Sequence, residues 1–210
     1  MTYHDCALLV VDVQNDFCSG GTLAVPDGEA VVPVVNRLCA RLGPALGARV
    51  LTQDWHPAAH RSFASGHEGR AAFESTTMPY GEQVLWPAHC VQGTSGADFH
   101  PALDVTGAEL ILRKGFRAHV DSYSAFYEND HRTATGLAGY LRERGIRRLL
   151  LVGLATDFCV SYSAIDGARE GFDVAVVEDG CRGIDLDGSL DRAWEEMTAA
   201  GVGRVGSASL

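Results

Sequence analysis

The chain has 210 residues, 46% of them hydrophobic and 21% charged, which is enough apolar material for one folded domain and excludes a charge-rich disordered chain. Its formal net charge of -10 excludes an extensive nucleic-acid footprint, since phosphate recognition draws on clustered Lys and Arg, although one local cation can still serve a small anionic product. The opening Met1 to Asp5 carries no basic segment, and the apolar run after it is too short for a signal core or a membrane span, so a cytoplasmic location without a membrane partner is expected.

In chain order, Cys6 to Val11 is a continuous apolar run that stops at Asp12, the pattern of a strand buried on both faces. A Gly-rich turn at Ser19 to Thr22 follows. Val31, Val34, Val35, Leu38 and Leu42 recur at helical spacing and predict a helix over 29–42. Residues 49–52 read as the next strand, ending in Gln53 and Asp54. The stretch from Trp55 to about His100 is irregular and rich in His, Gly, Ser and Pro; so long a loop in a compact domain points to function. A third strand over 109–113 ends at Lys114 and Gly115, and a loop to Asn129 leads to a helix over 135–143. Residues 148–152 form a fourth strand, followed by Gly153 and a helix that starts near Cys159 and ends at Arg169, with Gly171 just beyond it. A fifth strand over 172–177 and a helix over 190–200 complete the reading. No repeat or linker divides the chain, so residues 1–210 are expected to form a single domain of βαβ units, a mostly parallel sheet covered by helices on both faces.

Asp12, Asp54 and Lys114 stand at strand ends, and Cys159 lies shortly after another. An open parallel sheet gathers its ligand crevice at that edge, so these distant residues can meet. A cysteine in a strand-to-helix turn can be acidified by unpaired N–H groups, which can also receive an oxyanion; the plain alternative is a small buried hydrophobe. Asp12 and Lys114 need partners wherever they are buried, and an ion pair alone would satisfy them. With Cys159 added, they become a base for the thiol proton and a cation for the thiolate. Asp54, His56 and His89, with His60 nearby, offer carboxylate and imidazole groups suited to a divalent ion, or else polar loop residues bonding to backbone. The six cysteines form no CxxC pair and read as thiols. Cys90 stands beside a candidate ligand. Arg142, Arg144, Arg147 and Arg148, mixed with Glu143, read as a solvated helix end.

Taken together, residues 11–17 (VDVQNDF), 54–57 (DWHP), 86–94 (WPAHCVQGT), Lys114-Gly115, 121–126 (DSYSAF) and 153–160 (GLATDFCV) resemble the nicotinamidase/pyrazinamidase family of isochorismatase-like cysteine hydrolases. The resemblance runs in order from about Ala7 to Val177. It implies a three-layer α/β/α fold around a six-stranded, mainly parallel sheet, and metal-dependent hydrolysis of nicotinamide to nicotinate and ammonia through a cysteine thioester, with pyrazinamide also accepted. It further implies a catalytic Asp12, Lys114 and Cys159, an oxyanion hole from the N–H groups of Ala155 and Cys159 beside a cis Leu154–Ala155 peptide, and metal ligands Asp54, His56 and His89, with His60 a direct or water-mediated addition. Phe17 and Trp86 would sandwich the pyridine ring, with Tyr123 a further pocket residue. The implied cofactor is one divalent ion, zinc first, with iron or manganese as substitutes. The partner expected is a small-molecule substrate, and a homo-oligomer is left open. Isochorismatases lack this metal set; carbamoyl-type amidohydrolases share the Asp, Lys and Cys without requiring it. A catalytically retired binding module is opposed by the intact triad.

Overall fold

The computed structural model describes residues 3–210; Met1 and Thr2, which open the stretch read for a leader, lie outside the described residues. Six strands, β1 (Cys6–Val11), β2 (Ala48–Asp54), β5 (Leu110–Lys114), β6 (Arg148–Leu154), β7 (Asp173–Arg182) and β8 (Gly203–Val205), form one sheet in the order β5-β2-β1-β6-β7-β8, and every neighbouring pair is parallel. The chain winds outward from β1 through β2 to β5, then returns to add β6, β7 and β8 on the other side. This reversal beside β1 puts a crevice at the carboxyl ends of the central strands.

All residues of β1 and β2 are buried, β1 as its unbroken apolar run requires in a sheet covered on both sides, and β2 with Arg49, Thr52, Gln53 and Asp54 buried along with its apolar residues. Helix α1 (Val31–Leu42) presents its predicted apolar stripe to β6 and β7, with Val31, Val34, Val35, Leu38 and Leu42 buried. Helices α3 (Ser161–Arg169) and α4 (Ser189–Ala199) pack against each other, α3 also against β7 and α4 against β8, completing the three layers. Helix α2 (Leu137–Glu143) starts two residues later than the spacing predicts. Gly136 takes φ +97°, and Thr135 Oγ1 accepts the Leu137 N–H at 3.2 Å, so the turn before the helix is capped rather than helical.

Three elements differ from the expectations. The long stretch read as irregular contains an antiparallel hairpin, β3 (Ser75–Met78) with β4 (Gly81–Val84). Only Met78 and the polar Gln83 are buried within it, so no apolar alternation announced it. Strand β7 continues past Val177 to Arg182; its register to β6 slips between the Leu151–Val176 and Gly153–Cys181 pairs, a bulge that hydrophobicity does not encode. The sixth strand expected from the resemblance is β8, three residues at the sheet edge that are too short and exposed to carry a pattern.

No helix among the described residues is long and apolar enough to cross a membrane. The six cysteines are free thiols. Arg142, Arg144 and Arg148 pair with Glu170, Glu109 and Asp5, and their side chains are partly exposed, as a solvated surface requires.

Gly153, at φ +122°, packs so closely against β1 that an added Cβ would stand 2.0 Å from the Val11 carbonyl oxygen. Gly153→Ala is therefore expected to destabilise the protein by at least about 2 kcal/mol, combining backbone strain with a clash that side-chain motion cannot relieve. Gly139→Ala, on the open surface of α2, should instead stabilise by about 0.5–1 kcal/mol. Urea unfolding of the two variants beside the parent checks both the sign and the size.

Candidate active site

Asp12 follows β1 directly and takes φ +48°; Asp54 and Lys114 close β2 and β5 as register partners; Cys159 sits in a π turn, Thr156–Val160, between β6 and α3. All four are buried. The π turn explains why the spacing placed a helix start near Cys159: the regular helix begins only at Ser161.

Lys114 Nζ stands at the centre of the group. It donates to Asp54 Oδ1 at 2.5 Å and to the Ser122 carbonyl at 2.9 Å, and Cys159 Sγ is 3.4 Å away. Asp12 Oδ2 lies 2.7 Å from the ammonium as a buried ion pair, and the Asp12 carboxyl also reaches the Cys159 thiol. Thr52 Oγ1 donates to the other oxygen, Asp12 Oδ1, at 2.6 Å and fixes the carboxylate plane. Burial opposes the charge on Lys114, but the two carboxylates outweigh it and hold its pKa well above the usual range, so the amine stays cationic and is no nucleophile. Burial raises Asp12 to about 6 against the pull of Lys114. At Cys159 burial likewise prevails over Lys114 and raises the thiol pKa well above normal. The acidification that a helix start suggested is thus reversed: the resting group is a thiol, and forming the thiolate requires a neighbouring base.

Asp54 Oδ2 faces two imidazoles, His56 Nε2 at 3.5 Å and His89 Nε2 at 3.9 Å, both long for direct hydrogen bonds. His56 Nδ1 lies 2.9 Å from the Gly115 carbonyl and His89 Nδ1 lies 2.8 Å from the Pro87 carbonyl. A carbonyl can only accept, so each ring carries a proton on Nδ1 and can turn an Nε2 lone pair toward Asp54. Burial favours neutral rings: it and the neighbouring His56 lower His89 to about 4, whereas at His56 the Asp54 carboxylate outweighs burial and raises the pKa. Burial also opposes the charge on Asp54, yet Lys114 and then His56 keep it well below the ordinary carboxylate range. With both imidazoles neutral, as metal ligands must be, two carboxylates and one ammonium leave the buried group with one excess negative charge. A cation cradled by Asp54, His56 and His89, whose ligand atoms converge within 4.8 Å, fits that deficit and this donor set. His60 differs: Ser62 N–H donates to its Nδ1 at 3.2 Å, so its Nε2 carries the proton and donates to the Val120 carbonyl at 3.2 Å. Both of its nitrogens are engaged.

Beside these groups is a cavity of about 20 Å³, room for about one water molecule, bounded by Phe17, Trp86, Tyr123, Ala155 and Cys159. Larger concavities lie elsewhere on the surface, but the convergent titratable groups face this one. The Ala155 N–H donates to no acceptor among the described residues, and the Leu154–Ala155 peptide is cis. The spacing missed Phe158, half-buried on the cavity wall with its ring perpendicular to Trp86 at 4.8 Å. It also missed the supports. Gln83, from the unanticipated hairpin, donates to Tyr123 Oη at 2.8 Å and Asp121 Oδ2 at 3.0 Å, while Trp86 Nε1 donates to the same Tyr123 oxygen at 3.0 Å. Asp16 accepts the Cys90 N–H at 2.7 Å and so ties the turn bearing Phe17 to the loop bearing His89. Its position beside Phe17 was the available signal. Cys90 itself turns away, its thiol toward the Gly96 carbonyl at 3.9 Å.

Residues 6–209 match the Isochorismatase domain family. The chain is 53% identical over 207 residues to a nicotinamidase of Acinetobacter baylyi, covering 99% of this chain and 95% of that one. A nicotinamidase/pyrazinamidase structure from Acinetobacter baumanii superposes with a TM-score of 0.96 at 53% identity, covering 100% and 99% of the two chains. A Pyrococcus horikoshii pyrazinamidase structure in complex with zinc is similar at a TM-score of 0.78 and 33% identity, covering 96% and 99%.

Gly115 has φ +66°, and a Cβ there would lie 2.3 Å from His56 Cε1. Gly115→Ala should displace the imidazole from its carbonyl and weaken divalent-ion binding by about 10- to 100-fold, the usual cost of disturbing the groups that orient metal ligands. Calorimetric titration of metal-stripped protein with zinc measures this loss directly.

Proposed function

Because this chain belongs to the isochorismatase family, we propose that it is an amidohydrolase that converts nicotinamide to nicotinate and ammonia through a Cys159 thioester, and that it also accepts pyrazinamide. The observation that carries this reading is the contact of a buried thiol with a buried ammonium that is also ion-paired to the Asp12 carboxylate. We treat residues 1–210 as one such domain acting in the cytoplasm on a small-molecule substrate.

In the first half of the reaction, Asp12 takes the Cys159 proton and the thiolate adds to the carboxamide carbon. The N–H groups of Ala155 and Cys159 receive the developing oxyanion. Collapse of the adduct expels ammonia, to which Asp12 returns the proton, leaving the thioester. In the second half, Asp12 removes a proton from water as it attacks the thioester, and then reprotonates the departing sulfur. Lys114 holds the carboxylate and the sulfur in register throughout and compensates the charge that passes between them. Asp54, His56 and His89 would hold a divalent ion, zinc in the first place with iron or manganese able to replace it, which supplies Lewis acidity at the cavity when bound. His60, with both nitrogens occupied, is a support in this reading rather than a ligand. Phe17 and Trp86 bind the ring between them, with Tyr123 holding Trp86 in place. A cavity of about 20 Å³ has to widen to admit the ring, and we assign that widening to Phe158, half-buried on its wall.

Cys159→Ala should abolish ammonia release from nicotinamide while leaving the unfolding midpoint nearly unchanged; Cys90→Ala, whose thiol faces away, should keep most of the activity. Near-normal turnover by purified Cys159→Ala would end the thioester reading. Asp12→Asn should slow turnover by at least about 100-fold, the lower range for a general base. Asp12 must be ionised to act and its pKa is raised to about 6, so kcat/KM should fall as the pH drops through that value. Thr52→Val removes a hydrogen bond to the ionised form and should move this acid limb to higher pH. An unmoved limb would assign the titration to another group.

A further inference from the structure

A concavity of about 530 Å³, sharing no lining residue with the catalytic cavity, lies on the far side of the segment that ends at Ser122. Arg61, Arg117, Arg132 and His119 all line it, in a chain whose net charge is -10. Most arginines elsewhere have carboxylate or backbone partners. Here only Arg117 is neutralised, by Glu128. The side chains of Arg61, Arg132 and His119 have no ion pair or hydrogen bond among the described residues. Asp130, which lines the same wall, attracts Arg132 through space and so opposes part of its charge, while its oxygens are taken by the N–H groups of Arg132 and Thr133 and by the Thr133 hydroxyl. Three guanidinium groups against the two carboxylates of Glu128 and Asp130 leave the wall with a net positive charge, and guanidinium forks are matched to tetrahedral oxyanions.

Glu128 supplies a second and independent requirement. Its residue is 3% exposed; Oε1 meets Arg117, but Oε2 is buried without a hydrogen-bond partner. A buried carboxylate oxygen left in that state is costly unless a donor reaches it. The volume lies within the range of small-molecule sites, and Tyr80 adds an aromatic surface to the wall. We propose that this concavity binds a phosphate ester that also carries a hydroxyl or N–H donor, with Arg61 and Arg132 gripping the phosphate and the donor reaching Glu128 Oε2 as the side chains that cover this buried oxygen move aside. The back wall gives the site a route to the chemistry. The Val120 carbonyl accepts from His60 and the Ser122 carbonyl accepts from Lys114, so a ligand against this segment presses on the backbone that holds both.

The test is calorimetric titration of the full chain with adenosine monophosphate, inorganic phosphate and adenosine at constant ionic strength. Adenosine monophosphate should bind saturably and more tightly than inorganic phosphate, with adenosine weakest. Arg61→Gln/Arg132→Gln should weaken the nucleotide by at least about tenfold, because each lost charged hydrogen bond alone accounts for that order. Arg132→Glu should weaken it further. Both variants alter exposed side chains and should retain the parent's circular dichroism and its ligand-free amide hydrolysis within about twofold. Absence of saturable binding by either phosphate compound, equal affinity for the two, or an unchanged affinity in the double variant would each overturn the proposal.

Discussion

The buried ammonium of Lys114 is the interaction on which the site depends. Its three protons and its charge are distributed among Asp12, Asp54, the Ser122 carbonyl and the Cys159 sulfur, all between 2.5 and 3.4 Å. Removing such a cation would leave two carboxylates buried together, which is far more costly than the pair's net contribution to stability. The same charge divides the roles of the acids. Asp54, bonded to Lys114 and facing two imidazoles, is held ionised; Asp12, raised by burial to about 6 against the pull of Lys114, is left basic enough to accept a proton.

The parallel sheet makes this concentration of charge affordable. Strands β1, β2, β5 and β6 deliver Asp12, Asp54, Lys114 and Cys159 at or just beyond their carboxyl ends, and the ladder hydrogen bonds between the strands fix those positions. The register pairing of Asp54 with Lys114 is the clearest case: two residues 60 positions apart are neighbours because β2 and β5 are. The loops then add what strands cannot. The turn with Phe17 and the loop with His89 are fastened to each other by Asp16, and the hairpin reaches down through Gln83 to hold Tyr123 and Asp121.

Cation placement separates the two concavities of the molecule. In the catalytic cavity each charge has an opposite partner within ion-pair distance, which suits a neutral amide that must be polarised without being trapped. In the larger one Arg61 has no carboxylate partner and Arg132 only an Asp130 already held by other donors, while a buried carboxylate oxygen lacks a donor, a combination that calls for a ligand with both an anion and a proton to give. One backbone segment, Arg117 to Ser122, separates them.

By itself the amino-acid sequence determined the alternation of strands and helices, the burial of β1 and α1, and the candidacy of Asp12, Asp54, His56, His89, Lys114 and Cys159, because continuous apolar runs, helical spacing and charges at strand ends are local properties. The ordered motifs added Phe17, Trp86, Tyr123 and the cis peptide through family resemblance. Only the tertiary structure decided that Cys159 rests as a thiol rather than a thiolate, that His60 has no free lone pair while His56 and His89 do, and that Phe158, Gln83, Asp16 and Thr52 belong to the site. Those outcomes depend on burial and on the direction of single hydrogen bonds between residues tens of positions apart, and neither quantity exists until the sheet has brought the strand ends together.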